Sequence, residues 1–397
     1  MIARRWRERL TPATRAAGTW IEIPFDVPIG TGAFTVDLDY DRSSGAVIDL
    51  GCTGPQGFRG WSGGARRTFS ITDGAATPGY LPGVEPGEWG VVLGQHRVPV
   101  PVTAEVTVSW ADTVPAEPDP NPAVPVQRPL RPDLPDIDGM RWLAGDFHCH
   151  TVHSDGQHTI DEVAVMAAEA GLDFLAVTDH NTVSHHAHLP LASERTGVQL
   201  IPGQEVTTWR GHANAFGDIG WIDFRRPADD WISSVTDRGG LLSINHPVSG
   251  DCSWRQPLTE RPQLVETWHS SWVDRTSGAP IAFLLAGFPD ATPIGGADFH
   301  GRGSDARPGH PTTWVLAEGD DVLGGLRAGR PSISAGPGAP LLLRYGDEFL
   351  VVDGDGLLLA TPDGRRTVVD GPRVLLPAEP GLAWLEDGYT GIQAISA

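Results

Sequence analysis

The residues best able to do chemistry crowd into Gly145-Asp146-Phe147-His148-Cys149-His150-Thr151-Val152-His153-Ser154-Asp155-Gly156. His148 and His150 are two apart, so on a strand both imidazoles point to the same face. Such a pair is half of a metal site. Asp155 follows in a Ser-Asp-Gly turn, where a short carboxylate can reach back over the strand end. Further candidates recur downstream: Thr178-Asp179-His180-Asn181, Gly203-Gln204-Glu205, Gly211-His212, Asn245-His246-Pro247 and Ala297-Asp298-Phe299-His300. Any one of them alone reads as a loop histidine or a solvated carboxylate. Together they predict a metal site at the strand ends; imidazole with carboxylate suits Mn, Fe or Zn.

These side chains need a frame. Thr159 is a candidate N-cap with Asp161 and Glu162 in the first turn, and the helix it opens runs on to Gly171. A strand, Phe174–Val177, then ends at the His180 motif. Val198–Ile201, Leu241–Ile244, Leu264–Trp268 and Pro293–Ala297 alternate with helical stretches. That is an α/β rhythm, and ligands in such folds collect at the carboxyl ends of the strands. Residues 140–335 hold 13 of the 14 histidines. Cys149, between the paired histidines, is expected to face the barrel wall as a small buried hydrophobe.

Four segments are expected. Residues 1–112 form an N-terminal β-sandwich: Trp20–Phe25, Phe34–Tyr40, Val47–Leu50 and Val102–Val108 alternate apolar and polar residues between glycine-rich turns. Gly60-Trp61-Ser62-Gly63-Gly64 matches a nucleophile elbow in letters only, because no helix signal follows; a glycine-rich loop is expected. Residues 113–139 are a proline-rich linker. Residues 140–335 are the α/β unit. Residues 336–397 are a small C-terminal β segment of short strands joined by Asp-Gly turns.

The net charge of −21 argues against general nucleic-acid binding and against an anionic membrane surface. It leaves room for an anionic substrate at a metal centre, where local charge governs. Three widely spaced cysteines suggest no disulfide framework. The first 18 residues are basic without an apolar core, and no run is long and apolar enough to span a bilayer. A cytoplasmic protein is expected, and nothing in the sequence signals its oligomeric state.

Taken together, these motifs resemble the PHP (polymerase and histidinol phosphatase) superfamily over about residues 140–310. With the β-rich N-terminal domain, they resemble its CehA/McbA-type metallohydrolases most. The resemblance implies a distorted (β/α)7 TIM-like barrel. It implies a first metal on His148, His150, Glu205 and Asp298. Glu205 would bridge to a second on His212 and His246, with His269 a competitor for the His212 position. A third would lie on Asp155, His180 and His300. Three ions at +6 against the carboxylates of Asp155, Glu205 and Asp298 leave a cationic mouth, which favours a small-molecule phosphate ester. The expected activity is hydrolysis of a phosphomonoester or phosphodiester by a metal-bridging hydroxide. Arg210 and Arg302, with Arg255, Arg275 and Arg307, are candidates for clamping phosphate. His153 and His269, with His310, are candidates for protonating the leaving group. His185, His186 and His188 are expected to be a solvated helix start near the barrel mouth. One alternative is carbamate or ester hydrolysis, kept open by Trp209, Trp221, Trp254, Trp268 and Trp272. Another is a non-catalytic, metal-stabilised binding protein.

Overall fold

The computed structural model describes residues 3–111, 126–129, 131–272, 278–301, 303, 306–389 and 391–397. Most of the expected linker, with Arg275 and Arg302, lies outside them.

The first eight strands are β1 (Ala3–Leu10), β2 (Trp20–Val27), β3 (Ala33–Asp39), β4 (Val47–Gly54), β5 (Gly57–Gly63), β6 (Thr68–Thr72), β7 (Gly87–Arg97) and β8 (Val102–Ala111), with helix α1 (Pro12–Ala17) after β1. They form two antiparallel four-stranded sheets, β1-β8-β3-β6 and β2-β7-β4-β5. Phe34, Val36, Leu50, Phe69, Trp89 and Val91 from both sheets share one buried cluster, so the alternating pattern marks a genuine sandwich core. The sequence pattern missed β1, whose Arg7 pairs with Glu105 across the sheet edge instead of burying an apolar row.

The second unit is mixed α/β. Its strands are β9 (Arg141–Asp146), β10 (Phe174–Val177), β11 (Gln199–Thr208), β12 (Gly211–Phe216), β13 (Leu241–Ile244), β14 (Leu264–His269), β15 (Thr292–Gly296), β16 (Thr312–Ala317) and β17 (Pro331–Ser334). Helices α2 (Ile160–Glu169), α3 (Leu189–Thr196), α4 (Ala228–Asp237), α5 (Ala279–Gly287) and α6 (Val322–Arg327) lie between them. The pairs β9·β10, β10·β11, β13·β14 and β14·β15 are parallel; β12 and β16 run antiparallel to both their neighbours. Eight successive strands, β9 to β16, feed one interior cluster that includes Leu143, Phe147, Phe174, Phe216 and Val315. The two ends of this strip meet through side chains: the Thr313 hydroxyl donates to the Gly295 carbonyl at 3.0 Å and accepts from its N–H at 2.9 Å.

The sheet does not stop at β17. The remaining strands are β18 (Leu341–Tyr345), β19 (Glu348–Val352), β20 (Leu358–Ala360), β21 (Arg366–Val368), β22 (Arg373–Pro377), β23 (Ala383–Glu386) and β24 (Ile392–Ser396). β24 pairs with β17, and β23, β20 and β21 extend the same sheet; β18-β19-β22 form a separate small one. No helix among the described residues is long and apolar enough to cross a membrane.

Candidate metal centre

Helix α2 opens as expected. The Thr159 hydroxyl accepts from the Glu162 N–H while the Glu162 carboxylate accepts from the Thr159 N–H. Ile160, Val163, Ala164, Ala167 and Ala168 bury one face against β10, which aligns that strand beside β9. β9 itself ends at Asp146, so His148 and His150 lie just past it. Their alternation survives because the extended chain is still tied on both sides: the His150 N–H donates to the Phe299 carbonyl at 2.9 Å, and the Cys149 carbonyl accepts from the Thr178 N–H at 2.8 Å. Cys149 is fully buried in the wall, as alternation requires.

All the candidate ligands meet at one edge of the sheet. His180, His246 and Asp298 follow the parallel strands β10, β13 and β15, and Glu205 lies within β11. His212 reaches the same edge by a different route. β12 runs back antiparallel to β11, pairing Thr207 with His212, so its first residues return to the mouth.

Glu205 is the hub. Its Oε1 lies 3.3 Å from His148 Nε2, 3.1 Å from His212 Nδ1 and 3.2 Å from His246 Nε2. Its Oε2 lies 2.7 Å from His180 Nδ1 and 3.5 Å from His150 Nε2. Asp298 Oδ1 lies 2.9 Å from His150 Nε2 and 3.2 Å from His148 Nε2. Asp155 Oδ1 lies 3.5 Å from His180 Nε2 and 3.3 Å from His300 Nε2. Ligand atoms within 4.8 Å of one another form five groups: His150/Asp155/His180/His300, His148/Glu205/His246, His148/His150/Asp298, His148/Glu266/His269 and His180/Glu205/His212.

This donor set fits divalent cations. His148 Nε2, His150 Nε2 and Asp298 Oδ1 are buried without a hydrogen bond, although each faces oppositely charged neighbours. Buried polar atoms are normally satisfied; lone pairs converging on one point are what a cation would satisfy. Burial would raise the Glu205 carboxyl, but His212, His180 and His148 outweigh it and hold it well below the usual carboxylate range. Burial lowers His150 to about 4, with His300 and His180 adding to the effect, so it stays a neutral donor. The backbone is strained at the same place: three of the five described non-glycine residues with positive φ are Asn181, His246 and Asp298, at 55°, 28° and 51°.

A supporting set orients the ligands, and sequence patterns alone did not reveal it. Glu266 Oε1 lies 3.1 Å from His148 Nδ1, and its Oε2 accepts from the His246 N–H at 2.6 Å. Asp146 accepts from the N–H groups of His148, Ala297 and Gly309 at 3.0, 3.0 and 2.8 Å. Asp179 accepts from the Thr151 N–H and the Ser154 hydroxyl at 2.8 and 2.6 Å. Asn245 donates to Glu205 at 2.9 Å. Asp146, Asp179 and Asn245 each sit one or two residues from a motif histidine, and that adjacency was the available signal; Glu266 lies inside β14 and had none.

The remaining candidates divide. His269 joins the centre: it is buried, its Nε2 lies 3.1 Å from Asp298 Oδ2, and Ser271 lies 2.9 Å from its Nδ1. His153 does not. Its ring bonds Ser184 at 2.8 Å and sits beside His185 and His188, outside the cavity over the centre. Arg210 is exposed on the β11–β12 turn, its guanidinium 5.5 Å from the Trp209 ring. Arg255, Arg307 and His310 do not line the cavity either. The expectation of a solvated helix start holds for His188, which is exposed at the head of α3, and is corrected for its neighbours: His185 is fully buried and bonds the Val177 and Gly203 carbonyls, and His186 bonds Gly203. They tie the loop to the strand ends. Of the tryptophans, Trp268 is buried in the core and Trp221 stacks on Phe58; Trp209 lines the cavity, and the side chain of Trp272 lies outside the described residues.

The cavity measures about 830 Å³, and the sandwich supplies one of its walls: Trp20, Val47, Asp49, Trp61, Ser62, Gly63 and Gly64 line it opposite the histidines. Ser62 is no nucleophile. It lies within β5 and its hydroxyl is buried against the Tyr80 hydroxyl at 2.8 Å. Arg66 donates to the Val152 and Ser154 carbonyls, and Gly79 and Thr182 bond across the same boundary.

Residues 146–259 match the PHP domain. Over 67 residues the chain is 36% identical to a 5'-3' exoribonuclease of Haemophilus influenzae, covering 17% of this chain and 24% of that one. Over 64 residues it is 38% identical to a phosphoribosyl 1,2-cyclic phosphate 1,2-diphosphodiesterase of Eggerthella lenta, covering 16% and 24%. The chain thus spans about a quarter of the length of these curated relatives. Among solved structures, a two-domain Bacteroides vulgatus protein described as containing a predicted PHP-like metal-dependent phosphoesterase covers 68% of this chain and 91% of its own, at 18% identity and a TM-score of 0.42. An amidohydrolase of Chromobacterium violaceum covers 41% and 89%, at 18% identity and a TM-score of 0.31.

Proposed function

We propose that the protein is a metal-dependent hydrolase that cleaves a phosphate ester, a mono- or diester. The observation that carries this reading is the convergence of unsatisfied imidazole and carboxylate atoms on one sheet edge beneath a large cavity. The PHP match over that segment supports it, as do relatives described as phosphodiesterase and exoribonuclease. The fold that goes with the reading is the distorted (β/α)7 barrel of the CehA/McbA type. We keep the division at residues 112, 139 and 335 as part of the proposal.

His148, His150, Glu205 and Asp298 would hold one ion. Glu205, His212 and His246 would hold a second, and Asp155, His180 and His300 a third. When bound, divalent ions supply an acidified water and neutralise developing charge on the ester oxygens. Glu266 and Asp146 fix the His148 imidazole and its backbone. His269, held by Ser271 and facing Asp298, is positioned to hand a proton to the leaving group. His153 has no part in this scheme.

One observation favours carbamate or ester hydrolysis as the second reading. Among the described residues lining the cavity there is no arginine or lysine, while Trp20, Trp61 and Trp209 are present. That wall suits an aryl group better than a bare phosphate. The test is release of p-nitrophenol by Mn²⁺-loaded protein from a phosphomonoester, a phosphodiester and a carbamate, with shortening of a short RNA followed separately and Glu205→Ala as blank. Metal-dependent turnover of a phosphate ester supports the first reading. Turnover of the carbamate alone transfers the case to the second. No turnover by metal-loaded protein overturns both and leaves the non-catalytic binding role.

A further inference from the structure

The sandwich does more than cover the centre. Strand β4 carries Asp49 into the cavity wall, facing the metal-ligand candidates. Two irregularities bracket this residue. The pairing of β4 with β7 slips between Val47 and Asp49, and its pairing with β5 slips between Leu50 and Gly51. Such bulges bend a strand and re-aim a side chain, and they gather beside active sites.

The surroundings of the carboxylate are cleared of side chains. A methyl group added at Gly94 would sit 2.8 Å from Asp49 Oδ2; one at Gly64 or Gly63 would sit 3.7 or 3.9 Å from Oδ1. Three glycines therefore surround the carboxylate where larger residues would crowd it or block its approach. Among the described residues the Asp49 carboxylate has no hydrogen bond and no ion pair; His180 acts on it through charge alone. A partly buried carboxylate without a partner is costly, and burial pushes its pKa up to about 7. Across the cavity lie His180, whose charge offsets burial only in part, and the ions the histidines would hold; the described lining includes neither arginine nor lysine to pair with it directly.

We propose that Asp49 is a specificity residue, supplied by the N-terminal sandwich, that anchors a primary ammonium group on the substrate of the barrel site. An ammonium donates to the free oxygens and pairs with the carboxylate at hydrogen-bond distance. Trp61 and Trp20 flank it with apolar surface, and the scissile ester reaches across the cavity to the histidines. This rests on the hydrolase reading above and names the substrate class for that site.

The test compares 2-aminoethyl p-nitrophenyl phosphate with ethyl p-nitrophenyl phosphate on Mn²⁺-loaded, full-length protein. The two diesters share a leaving group and differ by one ammonium. We expect the wild type to favour the amine about tenfold in kcat/KM, chiefly through KM, as a desolvated charge pair provides. In Asp49→Asn the ratio falls to near one, and in Asp49→Glu part of the preference returns. A ratio near one in the wild type, or one unchanged in Asp49→Asn, overturns the proposal. If neither diester turns over, the phosphoesterase reading fails, and the subsite is read from calorimetric binding of the same two esters. A preference for the amine that Asp49→Asn abolishes supports it; equal affinities, or no binding of either, overturn it.

Discussion

At the scale of single residues, Glu205 has the widest reach, touching five imidazoles with two oxygens. Glu205→Gln keeps the volume and removes the charge. We expect at least one equivalent of metal per chain to be lost, with turnover down about 10²-fold or more, since ligand charge and geometry set both. Elemental analysis alongside kinetics checks this. Glu266→Gln acts one step further out, by loosening His148 and the His246 backbone. A drop of about 10–100-fold in metal affinity is expected, read by chelator competition while the far-ultraviolet spectrum stays as in the wild type. Both glutamates are buried carboxylates carried inside strands, Glu205 in β11 and Glu266 in β14. Only Glu205 was legible in the sequence, through its Gly-Gln-Glu motif; Glu266 sat in a run that reads as an ordinary buried strand.

At the scale of elements, the centre depends on how closely β15, β14 and the segment after β9 approach one another. Gly296 marks the tightest point. A Cβ there would stand 2.3 Å from Glu266 Oε1 and 2.5 Å from His148 Cβ. Gly296→Ala should therefore displace a ligand and its supporting carboxylate together. We expect a fall of about tenfold or more in kcat with loss of bound metal, measured together with the melting temperature to show that the chain still folds. The strands were largely readable: Phe174–Val177 and Leu241–Ile244 carry the expected bounds, and Thr159 caps α2. β12 was not, although it delivers His212. Gly-His-Ala-Asn-Ala-Phe is short, buried at every position and has no β-branched residue to mark it as a strand.

At the scale of the whole molecule, two units share one cavity, and Asp49 links the stability of one to the charge of the other. The folded protein holds the Asp49 proton up to about pH 7, against an ordinary value of 3.8. Folding therefore takes up a proton between those values. The stability this contributes is complete below the ordinary pKa and is lost as pH rises through 7. In chelator-treated protein, the wild type should lose more melting temperature between pH 5 and pH 8 than Asp49→Asn does, by about 2 °C or more. Equal losses would show that Asp49 titrates normally. By itself the sequence determined the chemistry on offer. Histidine and carboxylate spacing after apolar runs marked the ligand candidates, because side-chain period and strand-end position are local properties of the chain. The tertiary structure alone decided what faces that chemistry. Whether Trp61, Gly63 and Asp49 border a substrate depends on how a sandwich docks on a sheet roughly a hundred residues later in the chain, and no local pattern encodes a contact between surfaces so far apart in sequence. Tertiary structure likewise set His153 against Ser184, outside the cavity, and the antiparallel pairing of β11 with β12 brought His212 back to the mouth.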